Sequence, residues 1–189
     1  MLKTKSVLHK VILMVLLALI IPCVVGNIMT ITSEGTDTFL RVSGIFGCVA
    51  LVAAFYYIVM GYSKDQAWAF KYFVGCSTFS VLFDLIGISS YENCTLPIAM
   101  IAVGFGLMIV IALGKDLGKR NSLLIGILMM VVFVIAAVSI SILWPATQNG
   151  ESQEGTIALV RILSDFVQSI ILVELTFAKY IDKENRKTT

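Results

Sequence analysis

Apolar residues in this chain do not alternate with polar ones. They gather in six runs, at about 7–28, 40–62, 68–90, 96–114, 121–144 and 157–178, separated by short polar stretches. Each run is close to the roughly 20 residues that an α-helix needs to cross a hydrocarbon core of about 30 Å. Barrel strands would show an every-second-residue alternation that is absent here. Lipid offers no hydrogen bonds to the backbone, so long unbroken apolar runs are read as helices, which satisfy their own N–H and C=O groups. The pattern predicts an all-α integral membrane protein: six transmembrane helices, short loops and a single polytopic domain over 1–189, with a charged, frayed tail at 179–189.

Composition agrees with this picture and narrows it. The chain is 58% hydrophobic and only 14% charged, against about 25% charged in ordinary soluble domains. The loops leave no room for a soluble catalytic or nucleic-acid-binding domain, so any function has to lie among the helices or at their ends. If the chain crosses six times, twelve of its fourteen basic residues fall on one side, and only Arg41 and Arg161 fall on the other. By the positive-inside rule both termini are expected in the cytoplasm, in the plasma membrane of a bacterial cell.

Individual runs carry further signals. The first opens with Lys3, Lys5 and Lys10 and resembles a signal peptide, with Val24 and Gly26 as a candidate cleavage site. Its apolar character continues past Pro22, which favours retention as helix 1, followed by an outer loop from Asn27 to Thr38. Helix 2 contains Ser43-x-x-x-Gly47 and helix 4 contains Ala102-x-x-x-Gly106, small-residue patterns that allow close helix packing. Lys64-Asp65 and Lys115-Asp116 mark cytoplasmic turns, each followed by a glycine ten positions after the aspartate (Gly75, Gly126), either a trace of duplication or generic interfacial charge. Helix 5 lacks ionisable groups and is expected to end at Trp144-Pro145.

Candidate chemistry concentrates in Arg161-Ile-Leu-Ser164-Asp165-Phe-Val-Gln168-Ser169. Such groups are costly inside a bilayer and face a protein interior or a water-filled cavity. At about 100° per residue, Arg161, Ser164, Asp165, Gln168 and Ser169 share one arc of helix 6, and Ser77, Ser80 and Asp84 share one face of helix 3. Asp84 and Asp165 fall at similar depths in the outer half, so Arg161 is expected to compensate both. Glu174 lies on the opposite side of helix 6 near the cytoplasmic end, and Arg41 at the outer mouth of helix 2.

Two readings follow from these faces. The first is an outward-open pocket, lined by Asp84, Arg161, Asp165, Gln168, Ser80, Ser77 and Ser169, that binds a small polar or cationic solute or takes up protons in a transport-related protein. The second is a buried ion pair that fixes helix packing in a regulatory or assembly subunit, with Ser43, Gly47, Ala102 and Gly106 on packing faces toward a larger membrane protein or a second copy.

Enzyme chemistry has little raw material. His9 is the only histidine, so histidine triads and HExxH zinc sites are not available. Two intramembrane aspartates suit an aspartic hydrolase. However, Asp84 stands in Leu82-Phe83-Asp84-Leu85 rather than in Gly-x-Gly-Asp. No metal, cofactor or nucleic acid is expected. Cys23, Cys48 and Cys94 fall in the outer half, where one disulfide is chemically open, and Asn93-Cys94-Thr95 is a sequon abutting helix 4.

Overall fold

The structure, a computed structural model, describes residues 7–60, 67–90, 94–113, 119–147 and 152–185. The Lys64-Asp65 and Lys115-Asp116 turns and Asn93 of the sequon lie outside them. Six helices and no strand occur among the described residues: α1 (Val7–Thr32), α2 (Thr38–Val59), α3 (Ala67–Ser89), α4 (Thr95–Leu113), α5 (Lys119–Thr147) and α6 (Ser152–Asn185). Five of them are long and apolar enough to cross a membrane, and α4 contributes a shorter apolar stretch, Thr95–Ile111.

Connections of this length cannot run the length of a helix, so consecutive helices are antiparallel. Each helix packs on the next in sequence, and α1 closes the ring on α6. α6 also touches α2 and α3, so it lies against most of the bundle. The broadest contact joins α2 to α3. An aromatic ladder follows that seam, with Phe83 stacked between Phe39 and Phe46, and Phe46 stacked in turn on Phe79. Farther along, Trp68 meets Tyr56 and Tyr72.

The partition of polarity is inverted relative to a soluble protein. Met14, Ile21, Val52, Phe79, Leu124, Leu128 and Ile142 are exposed, while Asn27, Ser77, Ser80, Asp84, Arg161, Asp165 and Gln168 are buried. An apolar exterior of this extent, wrapped around a polar centre, is stable only when hydrocarbon covers it. The architecture is that of a membrane-embedded helical bundle.

Several boundaries differ from the sequence expectation. α1 does not stop before Asn27 but continues to Thr32, with Pro22, Val24 and Gly26 inside one unbroken helix. Its buried stripe, Leu16, Ile20, Asn27 and Thr30, keeps helical spacing to the end. The turn that follows is tight. Gly35 adopts φ +80°, a left-handed conformation that glycine tolerates best, and Asp37 caps α2 by accepting a 2.7 Å bond from the Phe39 N–H. Arg41 donates to the Ser33 carbonyl at 2.9 Å, placing a cation at the C-terminal end of α1. α5 continues two residues past Pro145. α6 reaches Asn185, so the backbone expected to fray is helical through most of the tail.

The packing face of α4 also differs. Ala102 and Gly106 are exposed, and a Cβ added at Gly106 meets nothing within 4 Å. The buried stripe is instead Ile101, Gly104 and Met108, and Gly104 lies under the ring of Phe133, 2.8 Å from where its Cβ would stand. Gly126 of α5 is likewise filled by the Val173 side chain of α6. Gly104→Val is therefore expected to lower stability by about 1–3 kcal/mol through overpacking, whereas Gly106→Val leaves the thermal midpoint in detergent unchanged. Equal losses at the two positions would contradict this face assignment.

Candidate functional site

One layer of the bundle holds the site. Asn27 stands five residues before the end of α1 at Thr32, Ser43 five after the start of α2 at Thr38, and Asp84 five before the end of α3 at Ser89. Arg161 stands five after Thr156, where the apolar span of α6 begins. All four therefore lie about 7.5 Å below the same end of the bundle. Each is buried on the inward stripe of its helix, with no exposed surface.

Arg161 joins the layer. Its Nε donates to Asp84 Oδ1 at 3.0 Å and its Nη2 to Oδ2 at 2.8 Å, a two-point pairing that fixes the guanidinium plane. Nη1 donates to Asn27 Oδ1. The opposite amide orientation would set donor against donor, so the contact defines which way Asn27 points. Nη2 also faces the hydroxyls of Ser43 and Ser80, at 2.5 and 2.6 Å. Those hydroxyls are oriented by each other's backbones: Ser43 Oγ donates to the Ser80 carbonyl at 2.8 Å and Ser80 Oγ to the Ser43 carbonyl at 3.3 Å. With their protons directed at carbonyls, both oxygens turn lone pairs to the guanidinium. One side chain of α6 thus binds α1, α2 and α3 together.

Gly47 makes the space. A Cβ there would stand 2.8 Å from Asn27 Nδ2 and 3.1 Å from Arg161 Nη1. The Ser43-x-x-x-Gly47 pattern is therefore part of the site as well as a packing face.

The second carboxylate is placed differently. Asp165 is fully buried and its Oδ1 lies 4.0 Å from Arg161 Nη2, beyond hydrogen-bond length. As an ionised carboxylate it has no hydrogen-bond donor on either oxygen; only with a proton shared between the two carboxyl groups does it bond to Asp84. The charged groups acting on it are Asp84 and Arg161. Below it Gln168 Nε2 donates to Ser164 Oγ at 3.3 Å, while Gln168 Oε1 and Ser77 Oγ are buried without partners.

Asp84, Arg161 and Ser80 are thus brought into direct contact. Asp165 adjoins them, and Gln168 and Ser77 lie deeper on the same two faces. Ser169 is buried but donates to the Phe166 carbonyl at 2.6 Å, so its hydroxyl serves its own helix. None of the seven side chains is exposed, so the outward-open pocket expected from their spacing is replaced by a sealed centre. Asn27 is absent from the sequence-derived faces because the outer loop is expected to begin at it, at the very end of the 7–28 run. Its signal was its place on the stripe through Leu16 and Ile20.

Cys23 and Cys48 lie within electrostatic range of Arg161 but are not joined to each other. All four cysteines are free thiols, and Cys94, at the start of α4, is buried, which pushes its thiol pKa up and disfavours the reactive thiolate. No family model matches the chain, and no curated protein or solved structure matches it either.

The two aspartates should respond oppositely to neutralisation. Asp84→Asn leaves a buried guanidinium without its paired charge and is expected to cost about 3–5 kcal/mol. Asp165→Asn replaces a buried carboxyl group that crowds Asp84 and has no donor of its own, so its unfolding midpoint in detergent should equal or exceed that of the wild type. A marked loss in Asp165→Asn, or none in Asp84→Asn, would assign the pairing the other way round.

Proposed function

We propose that this chain is a solute-binding or transport-related protein of a bacterial plasma membrane, crossing six times with both termini in the cytoplasm. Its working centre is the buried cluster of Asp84, Arg161 and Asp165. Support for the sixth crossing comes from α4, whose 19 residues extend about 28 Å. Support for the orientation comes from the sorting of basic residues to one side of a six-span chain.

A charge imbalance carries the functional reading. One guanidinium faces two fully buried carboxylates, and Asp84 occupies the guanidinium by two-point pairing. With all three groups ionised the centre holds one uncompensated negative charge, in a place where an unpaired charge costs several kcal/mol. A cationic or proton-bearing solute cancels it. Structural glue alone has little use for Asp165, since Asn27, Ser43, Ser80 and Asp84 already bond to all three nitrogens of Arg161.

The sealed layer corresponds to an occluded state. Access requires α6 to part from α2 and α3, and these contacts are smaller than the α2–α3 contact. α6 carries both Arg161 and Asp165, so the solute's charge acts on the helix that has to move.

A second reading, a non-transporting regulatory or assembly subunit, is favoured by the complete burial of the cluster and by the open Ala102–Gly106 face of α4. In that case Gly106→Leu, which strains nothing within the chain, detaches a stoichiometric membrane partner.

Reconstituted vesicles test the first reading with an internal pH dye and with radiolabelled sodium, potassium and choline. Wild-type protein is expected to bind or move one of these, and Asp165→Asn, while still folded, to lose the activity. Full activity in Asp165→Asn rules out Asp165 as the anchor.

A further inference from the structure

Four buried oxygens beside the Arg161 node make no hydrogen bond: Oδ1 and Oδ2 of Asp165, Oε1 of Gln168 and Oγ of Ser77. All three residues have no exposed surface. Among the described residues this is the largest group of unpartnered polar atoms that α3 and α6 share a face around.

Helix geometry places them together. Asp165 and Gln168 are three residues apart on α6 and are therefore side-chain neighbours on one face. Ser77 lies seven residues from Asp84 along α3, and Gln168 seven from Arg161 along α6. The helices are antiparallel and touch, and Asp84 and Arg161 are in contact. Seven residues, about 10.5 Å and close to two turns, bring Ser77 and Gln168 to the same level on facing sides. Asp165 stands between that level and Asp84. In the placement in which Gln168 Nε2 donates to Ser164 Oγ, the amide oxygen is the atom left for a ligand.

We infer that Asp165, Gln168 and Ser77 form a site for one monovalent inorganic cation of sodium size; this rests on, and sharpens, the solute-binding reading above. Three properties select that ligand. The free atoms are all oxygens, which suit a hard cation, and among the described residues no three His, Cys, Asp or Glu side chains gather to hold a transition metal. With Asp165 ionised the charges of Arg161, Asp84 and Asp165 sum to minus one, so a monovalent ion leaves the centre neutral and a divalent ion leaves it charged in a dry interior. Complete burial excludes an organic cation of any bulk. The Arg161 guanidinium, 4.0 Å from Asp165, repels the ion from one side and keeps the affinity modest.

Occupancy also has a mechanical consequence. An ion on Asp165 cancels the attraction between that carboxylate and Arg161, leaving Asp84 as the counter-charge of the guanidinium. The two turns of α6 that carry Arg161 and Asp165 are then held by different partners, one on α3 and one through the ion.

The test is equilibrium binding of radioactive sodium to the full chain in detergent, against a choline background, with thermal unfolding in parallel. Wild-type protein is expected to bind one sodium ion per chain saturably, and its unfolding midpoint to rise with sodium but not with choline. Asp165→Asn and Gln168→Met, which keep side-chain volume, should lose binding while remaining folded. Ser77→Ala should weaken it about tenfold, the equivalent of one lost ligand interaction. Ser139→Ala, whose hydroxyl serves the Ile135 carbonyl on α5, binds as wild type. Absence of saturable sodium binding in the wild type, or its persistence in Asp165→Asn, overturns the inference. If potassium or protons bind instead in an Asp165-dependent way, the sodium site falls and the solute-binding reading stands; if no cationic probe depends on Asp165, both fall.

Discussion

The guanidinium of Arg161 is the constraint on which the bundle depends. A charged side chain with no exposed surface is tolerable only when its N–H groups are matched and its charge opposed. Asp84 opposes the charge from α3, while Asn27, Ser43 and Ser80 bring acceptors from α1, α2 and α3. Each acceptor requires its helix to stand at one height and one rotation. The inventory of small residues follows from the same demand, since Gly47 has to lack a side chain for Asn27 and Arg161 to meet.

The interior consequently has two levels. Near one end it is polar, organised by hydrogen bonds with defined directions. Away from that end α3, α4, α5 and α6 meet through Phe73, Met108, Met129, Phe133, Ile171 and Leu175, all buried, where shape alone decides. In a bilayer the hydrophobic effect does not drive helices together, so close packing and polar contacts supply the association. Directional contacts at one level and knob-like packing at the other, such as Phe133 over Gly104 and Val173 over Gly126, divide that task.

The all-helical, apolar architecture was legible in the sequence, because run length reports on the bilayer rather than on tertiary detail. Asp84, Arg161 and Asp165 were legible as well, since ionisable groups are rare in such runs and helical spacing puts them on one face. Asn27 was not, because a polar residue near a predicted helix end looks the same whether the chain turns or continues. Ala102 and Gly106 lie on a face that no described helix of this chain covers: small residues permit close approach without saying which neighbour is present, and within the chain α4 packs through Gly104. The distinction between the two aspartates was also hidden. Only the structure reveals that one carboxylate takes the Nε–Nη2 edge of the guanidinium at two points while the other is left 4.0 Å away.

The most direct test of the central claim is a double-mutant cycle on Arg161 and Asp84, read by reversible unfolding in mixed micelles. Arg161→Met and Asp84→Leu should each be strongly destabilising, and the double variant should recover most of the loss. A coupling of about 3 kcal/mol or more is expected for a fully buried, two-point pair. Additive losses would mean that the pair does not hold α6 to α3, and the account built on Arg161 would be wrong.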